Sequence, residues 1–240
     1  MNEDRVYWPV ALDVTRIAST GCLIVGGGGE AEFKSEVLVG FGVVPRLVSL
    51  EWTAGLEEMA VAGHVVLQRQ AYEPGVIAGA GLVIAATDDD ELNSRIAADA
   101  RSSGAMVNVV DDADKSDFIT MALARAGDIT VAVSTGGRSP AFASVLRDRI
   151  RALLCSGYVG YLAYFVAVRE LVTEVTINFR QRVQIWRDLR EASLLDVLED
   201  DGAAAAGRIV KAVVSNYVEV SETALAKLPD EIQKDEPLTR

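Results

Sequence analysis

The sequence has few of the residues that build cross-links and metal centres. Its 240 residues include two cysteines, Cys22 and Cys155, and a single histidine, His64. Two cysteines cannot form a disulfide framework, and together with one histidine they exclude a structural zinc site of the usual kind. The sequence also contains no Gly-x-Ser-x-Gly turn, no Walker loop and no cysteine–histidine pair at a readable spacing. We therefore expect no metal site, and none of the hydrolase classes that these motifs mark.

Positive charge is also scarce, with 23 Lys and Arg against 35 Asp and Glu and a net charge of −12. This balance argues against a nucleic-acid partner and against binding to an anionic membrane. The first residues, MNEDRVYWPVALD, are acidic and lack an apolar signal core, so we expect a cytoplasmic protein. The most apolar stretch, residues 153–168, is broken by small and polar residues and is predicted to be a buried helix.

Half of the residues are hydrophobic, and their pattern predicts an α/β fold. Short apolar runs predict strands at 22–25, 46–50, 65–68, 82–86 and 106–110. Helical spacing between them predicts helices at 31–40, 56–62, 74–80 and 91–103. Such alternation is typical of a parallel sheet covered by helices on both faces.

One more strand is predicted at 129–134. Ser139 and Pro140 then start a helix that reaches about residue 154, and helix continues to about 217 with a break near 199–202. The polar tail from Lys227 is expected to fray.

The first predicted strand ends in four glycines that form a dinucleotide-binding fingerprint. Gly26-x-Gly28-x-x-Ala31 is the variant with alanine in the last position. Gly26 allows the tight turn out of the strand, and Gly28 lets the backbone approach a pyrophosphate. Ala31 is small enough for the helix to pack on the sheet. The N–H groups at the start of that helix would then face the phosphates.

An acid ends the second predicted strand, 25 residues after Gly26. Glu51 can accept hydrogen bonds from a ribose 2′-hydroxyl and would repel a 2′-phosphate, which favours NAD over NADP. A solvated surface acid is the structural alternative.

In such sheets ligands bind beyond the carboxyl ends of the strands, and three further clusters fall there. The first is ATDDDELN (86–93), in which Thr87 is predicted to contact the cofactor and Asp89 or Asp90 to cap the following helix. The second is NVVDD (108–112), where Asn108 is a candidate cofactor contact. Asp111 there is a candidate general base, since a carboxylate just after an apolar strand is partly desolvated. The alternative is that these acids are loop residues in solvent.

The third cluster is VSTGGRSP (133–140). Ser134, Thr135 and the backbone N–H groups that precede a helix form a natural anion site, and Gly136 with its neighbour Gly137 permits a tight turn. Arg138 adds a cation that can pair with a carboxylate. The alternative is a helix cap with a surface arginine.

Taken together, the motifs IVGGGGEAEFK (24–34), AATDDDELN (85–93), NVVD (108–111) and VAVSTGGRSP (131–140) resemble, in order and spacing, those of precorrin-2 dehydrogenase, the dehydrogenase part of siroheme synthase. The resemblance covers about residues 8–155. It implies a Rossmann-like parallel sheet, a dimerisation segment and a helical C-terminal domain, which we place at residues 1–112, 113–154 and 155–240. It further implies a homodimer, with NAD as cofactor and precorrin-2 as the tetrapyrrole substrate.

The resemblance also implies roles for single residues. Asp111 corresponds to the essential aspartate of the family, and Thr135 to the second hydroxyl residue of the serine-serine-glycine-glycine motif. The family's cofactor contacts fall on Gly29, Glu30 and the end of the second strand, here Ser49, Leu50 and Glu51. The sequence departs from the family's Val-Ala-x-Arg-Lys segment, which here reads Glu30-Ala31-Glu32-Phe33-Lys34. The extra acid at Glu30 is expected to weaken NAD binding unless its side chain points outward.

The resemblance thus implies NAD-dependent oxidation of precorrin-2 to sirohydrochlorin. Some members also insert ferrous iron into the product, and the sequence leaves open whether this chain does. An alternative from another class is a regulatory module that senses NAD without turnover. The glycine-rich turn fits both hypotheses, whereas NVVD and VSTGGRSP favour the enzyme, because a sensor needs no carboxylate at the nicotinamide edge.

Overall fold

The computed structural model describes residues 9–13, 16, 21–154, 157–176 and 178–232. The chain divides into two compact units. The first comprises Met1–Thr120 with Gly136–Arg138, and the second comprises Met121–Thr135 with Ser139–Arg240.

The first unit contains a parallel sheet of five strands, which confirms the predicted fold class. The strands are β1 (Cys22–Val25), β2 (Arg46–Ser49), β3 (Val66–Arg69), β4 (Leu82–Ala85) and β5 (Met106–Val109), in the spatial order β3-β2-β1-β4-β5. Because β1 lies between β2 and β4, the strand order reverses on either side of it. The chains that leave β1 and β4 therefore diverge and open a crevice at their carboxyl ends.

Helices cover both faces of this sheet. They are α1 (Gly29–Val39), α2 (Ala54–Val61) and α3 (Asp90–Ser102). Leu23 and Val83 pack with Ile96 of α3 on one face, and Ile24 and Leu47 pack with α1 and α2 on the other. Burial on both faces explains why the central strands β1 and β4 are entirely apolar. The helix predicted at 74–80 is only a 3₁₀ turn, Pro74–Ile77, because Gly79 follows at a φ of +78° and ends any helix.

The second unit begins with an antiparallel hairpin of β6 (Ala122–Ala126) and β7 (Ile129–Val133). The sequence analysis predicted β7 and missed β6, whose sequence ALARA has little β-propensity. Pairing with β7 and packing of Ala124 and Ala126 against Leu154 account for this strand.

Helices make up the rest of the second unit. They are α4 (Pro140–Leu154), α5 (Tyr158–Val175), α6 (Phe179–Glu191), α7 (Leu194–Asp200), α8 (Gly202–Ser215) and α9 (Glu222–Leu225). Ser139 caps α4, as predicted, by accepting a hydrogen bond from the N–H of Phe142 at 3.2 Å. Fully buried side chains such as Tyr164, Ile185 and Val210 form a separate core. The prediction of one break was incomplete, because the helices also end at Thr176 and before Ser193, whose φ is +49°.

The start of the predicted polar tail is packed rather than frayed. Leu228 is buried, and the ammonium of Lys227 pairs with the Glu174 carboxylate at 2.7 Å. Residues 233–240 lie outside the described residues. Within the described ranges, no single helix has both the length and the apolar character to cross a membrane, and one bent pair, α4 with α5, meets that test by length and composition only.

Close backbone approaches hold the glycine-rich turn in the crevice. Gly26 has a φ of +131°, and a Cβ there would lie 2.1 Å from the carbonyl oxygen of Ala86. A Cβ on Gly27 would lie 1.9 Å from the carbonyl oxygen of Glu51. A Cβ on Gly28, in contrast, would meet nothing within 4 Å. Gly26 and Gly27 are therefore required by packing, whereas Gly28 faces open space.

We predict that Gly27→Ala destabilises the protein and that Gly28→Ala does not. The first change forces a methyl group into a backbone carbonyl and should lower the free energy of unfolding by about 3 kcal/mol, as overpacking does. The second is the matched control and should change it by less than about 0.5 kcal/mol. Urea unfolding of the two variants measures both values, and equal stabilities would contradict the packing role of Gly27.

Candidate active site

A cavity of about 600 Å³ lies in the crevice at the carboxyl ends of the strands. It is bounded by the glycine-rich turn, the chain that follows β2, the loop after β3 and the end of β4. The lining residues are Val25, Gly26, Gly27, Gly28, Val48, Ser49, Leu50, Glu51, Trp52, Thr53, Gln70, Ala71, Tyr72, Ala86, Thr87, Asp88 and Leu92. The volume is within the range of small-molecule and cofactor sites.

The glycine-rich turn forms one wall of the cavity. Gly28 is the N-cap of α1 and makes no side-chain cap hydrogen bond, so the first N–H groups of the helix stay available to an anion. Gly29 and Glu30 begin the helix and are exposed, but they are not among the lining residues. We therefore expect a phosphate group to approach the turn at Gly28 rather than at Gly29 or Glu30.

The chain after β2 forms the opposite wall and brings Ser49, Leu50 and Glu51 to the cavity, as the sequence analysis placed them. Arg69 fixes this segment by donating a hydrogen bond to the carbonyl oxygen of Leu50 at 2.6 Å. The side chain of Glu51 is exposed, as the alternative of a solvated surface acid predicted. Glu51 nevertheless lines the cavity.

Three lining residues, Trp52, Gln70 and Tyr72, were missed by the sequence analysis. Tyr72 is buried, its hydroxyl donates to the carboxylate of Asp99 at 2.9 Å, and burial together with that hydrogen bond raises its pKa. Gln70 and Tyr72 come from the loop after β3, which carries no motif. Trp52 directly follows Glu51, and this position is the sequence signal that could have identified it as a lining residue.

Thr87 lines the cavity at the end of β4, but its hydroxyl is already engaged. It donates to the Asn93 side-chain oxygen at 2.7 Å, which ties the loop to α3. Asp89 caps α3 by accepting hydrogen bonds from the N–H groups of Glu91 and Leu92 at 2.9 and 3.0 Å. The capping interpretation of this acidic run is therefore confirmed.

Asn108 does not reach the cavity. It is buried in β5, and its amide donates to the carbonyl oxygen of Phe118 at 3.0 Å, while its side-chain oxygen has no hydrogen-bond partner among the described residues. Its amide contact holds the segment that contains Phe118, and its predicted contact with the cofactor stays a prediction.

Asp111 is exposed, which corrects the expectation that it is partly desolvated. The reason is that β5 is an edge strand, so the loop after it has no neighbouring strand on one side. The backbone at Asp111 has a φ of +59°, a conformation that few non-glycine residues adopt.

The acids around Asp111 have structural partners. Asp112 caps the 3₁₀ turn Ala113–Lys115 and pairs with the Lys115 ammonium at 2.9 Å, a hydrogen bond that holds the pKa of that carboxyl below its usual value. Asp117 pairs with Arg101 at 2.8 Å. The loop is therefore held by ion pairs on the chain that follows Asp111, whose own side chain makes no hydrogen bond to a described residue.

The segment Ser134–Arg138 forms the turn before α4. Thr135 accepts a hydrogen bond from the N–H of Ser139 at 3.0 Å, so its hydroxyl is part of the turn. Gly136 and Gly137 have φ values of +63° and +77°, which confirms the tight turn. Arg138 and Ser134 are exposed, and none of these residues lines the cavity.

The described residues contain no group of three or more His, Cys, Asp or Glu side chains that could hold a metal ion. Cys22 is buried in β1, where burial raises the pKa of its thiol to about 12, and it serves as a small core residue as predicted. Cys155 lies outside the described residues.

Comparisons with known proteins agree with this architecture. Residues 14–122 match a family model described as "Putative NAD(P)-binding", and residues 127–153 match one described as "Sirohaem biosynthesis protein central". The chain is 34% identical over 211 residues to a siroheme synthase of Chromobacterium violaceum, covering 87% of this chain and 44% of the relative. It is 35% identical over 205 residues to a siroheme synthase of Methylococcus capsulatus, covering 85% of this chain and 42% of the relative. The chain therefore spans less than half the length of these relatives.

The fold is similar to that of a solved structure, "SirC, precorrin-2 dehydrogenase", with a TM-score of 0.64 and 16% sequence identity. The match covers 87% of this chain and all of that chain. The relatives named here are synthases and a dehydrogenase, and none of these names supports the regulatory alternative. These two models and the siroheme synthase relatives place the chain in the family of sirohaem biosynthesis proteins, with the putative NAD(P)-binding part at residues 14–122 and the central part at residues 127–153.

Proposed function

We propose that this protein oxidises precorrin-2 to sirohydrochlorin with NAD as the hydride acceptor, in siroheme biosynthesis. The observation that carries the proposal is the cavity whose walls are the open Gly28 turn and the Ser49–Glu51 segment. The order of the four motifs and the siroheme synthase relatives support the choice of substrate. A cytoplasmic location remains a prediction, as do the three-part domain division and the insertion of iron.

The cavity fits a dinucleotide on its own geometry. Gly28 leaves the space that a pyrophosphate needs, and the uncapped N-terminus of α1 supplies N–H donors to it. Glu51 on the opposite wall is placed to accept hydrogen bonds from a ribose. Gly26, Gly28, Ser49, Leu50 and Glu51 would thus hold the cofactor. When bound, NAD supplies the acceptor for the hydride that leaves the substrate.

Asp111 is proposed as the general base. Oxidation of the substrate removes a hydride and a proton, and the Asp111 carboxylate would accept the proton. Its exposed position leaves both carboxylate oxygens open to a substrate, and the ion pairs of Asp112 and Asp117, which follow it, hold the loop that carries it. Such preorganisation costs nothing at the moment of reaction.

The residues proposed to bind the substrate are Ser134, Thr135, Gly136 and Arg138. Arg138 is an exposed cation next to two glycines, and precorrin-2 carries several carboxylates. A guanidinium can pair with a carboxylate through two parallel hydrogen bonds. Because the Thr135 hydroxyl already belongs to the turn, we assign it to the positioning of this segment.

We further propose that the protein is a homodimer and that α4 lies in the interface. Phe142, Val145 and Leu153 of this helix are 56%, 49% and 68% exposed. Their spacing along the helix places all three on one face of α4. Exposure of large apolar groups on one helix face to water is unfavourable. A second copy of the chain, packed on this face, would remove that exposure.

Asp111→Asn is expected to abolish oxidation while NAD still binds. The amide keeps the shape of the carboxylate but cannot accept the proton, so kcat should fall by about 100-fold or more. The assay mixes precorrin-2 and NAD without metal and follows sirohydrochlorin and NADH absorbance together. Asp114→Asn, an exposed acid of the same loop, is the matched control. Full activity of Asp111→Asn would refute the assignment of the base, and NAD binding by the wild type without turnover would favour the sensor.

Glu51→Ser is expected to weaken NAD binding by about tenfold and to tighten NADP binding, because it removes a ribose acceptor and a charge that repels the 2′-phosphate. Titration that follows Trp52 fluorescence measures both affinities. Glu57→Ser removes the same charge from an exposed position in α2 and should leave both unchanged. An unchanged preference in Glu51→Ser would contradict the role of this acid.

Phe142→Asp combined with Leu153→Asp is expected to convert the dimer into monomers, because two buried charges would oppose the interface. Light scattering coupled to size-exclusion chromatography measures the mass. Val61→Asp changes a residue of α2 that is 92% exposed and serves as the control, which should stay dimeric. A monomeric wild type, or a dimer unaffected by the double substitution, would overturn the proposal for α4.

A further inference from the structure

Lys34 of α1 is a partly buried cation that makes no ion pair with any residue that the structure describes. Its ammonium donates a hydrogen bond to the Thr120 hydroxyl at 2.7 Å and lies 5.8 Å from the centre of the Phe33 ring. Within the described part of the chain, no carboxylate oxygen lies within the 4 Å that defines an ion pair with it. A neutral hydroxyl is thus its hydrogen-bond acceptor.

Other cations of the same unit are differently placed. Five of them have an acceptor that explains their position in the fold, either a carboxylate or a backbone carbonyl. These are Arg46 with Val76, Arg69 with Leu50, Arg95 with Tyr72, Arg101 with Asp117 and Lys115 with Asp112. Lys34 differs from these five in that its hydrogen-bond acceptor among the described residues is a side-chain hydroxyl.

Burial raises the free-energy cost of a Lys34 ammonium that has no carboxylate partner in the described ranges. Removal of water lowers the pKa of the Lys34 ammonium, and the charges of Glu30 and Asp111 oppose part of that shift. The partner of Lys34, Thr120, lies in the chain segment that follows the loop of Asp111, the proposed base. A partly desolvated ammonium is stabilised most by a negatively charged partner, and a ligand carboxylate can supply one.

An exposed aromatic ring accompanies this cation. Phe33 is 53% exposed, although it directly precedes Lys34 on a helix that packs against the sheet. A ring and an ammonium side by side match a ligand that has both an extended π-system and carboxylate side chains.

We propose that Lys34 is a substrate-recognition residue whose ammonium pairs with a side-chain carboxylate of the tetrapyrrole, while the Phe33 ring contacts the macrocycle. This inference rests on the proposed function and names a contact for the same reaction. Thr120 holds the ammonium in place until the substrate arrives. The structural alternative is that Lys34 only anchors the segment that contains Thr120.

The test compares Lys34→Gln, Lys34→Arg and Thr120→Val. Sirohydrochlorin binding is followed by its absorbance, and KM and kcat for precorrin-2, NAD affinity and melting temperature are measured on each variant. Lys34→Gln should weaken sirohydrochlorin binding and raise KM about tenfold, with kcat and NAD affinity within about twofold of the wild type. Lys34→Arg should restore most of the affinity. Lys227→Gln removes the same charge from the helical unit and is the control.

The outcomes distinguish a failure of the proposed function from a failure of the inference about Lys34. A wild type that neither binds sirohydrochlorin nor oxidises precorrin-2 overturns the proposed function and this inference with it. An active wild type with an unchanged Lys34→Gln variant overturns the inference alone. Thr120→Val keeps the ammonium but removes the hydroxyl that positions it, so it should weaken sirohydrochlorin binding clearly less than Lys34→Gln does. Equal losses in Thr120→Val and Lys34→Gln, with lowered melting temperatures, would establish the anchoring role instead.

Discussion

The close approach between the turn after β1 and its two neighbouring strands is the constraint on which the sheet unit depends. At Gly26 and Gly27 the backbone comes so near to the carbonyls of Ala86 and Glu51 that no side chain can be accommodated. This contact lets α1 begin at the edge of the sheet and brings the chain after β2 against the turn. The cavity exists because the next residue, Gly28, faces open space beside two positions that are completely filled.

In the same unit, some charged residues stabilise the fold, and others are available for binding and catalysis. Asp89, Asp112 and Asp117 cap turns or pair with cations, so the many acids of this sequence are mostly structural in these loops. Asp111 and Lys34 remain without such partners among the described residues. Asp111 comes just after β5 and Lys34 lies within α1, so elements of the sheet unit position both the exposed carboxylate and the partly buried ammonium.

Much of the fold could be predicted because its signals are local. All five strands of the sheet begin and end within one residue of their predicted limits, since buried parallel strands read as short apolar runs between turns. The hairpin strand β6 could not be predicted, because its alanines have no strand preference and pair only when β7 is beside them. The short helix at 74–80 failed for a similar reason, since Gly79 takes a positive φ that sequence spacing does not reveal.

The sequence by itself determined the parallel sheet, the glycine-rich turn, the acid at the end of β2 and the helix caps at Asp89 and Ser139. Each depends on residue types within a few positions of one another. Only the tertiary structure decided that Gly27 is as constrained as Gly26, that Trp52 and Tyr72 line the cavity, that Asn108 is buried and that Asp111 is exposed. Those properties depend on which chain segments lie beside each other in space, and strand order and edge position fix that only when the whole sheet is assembled.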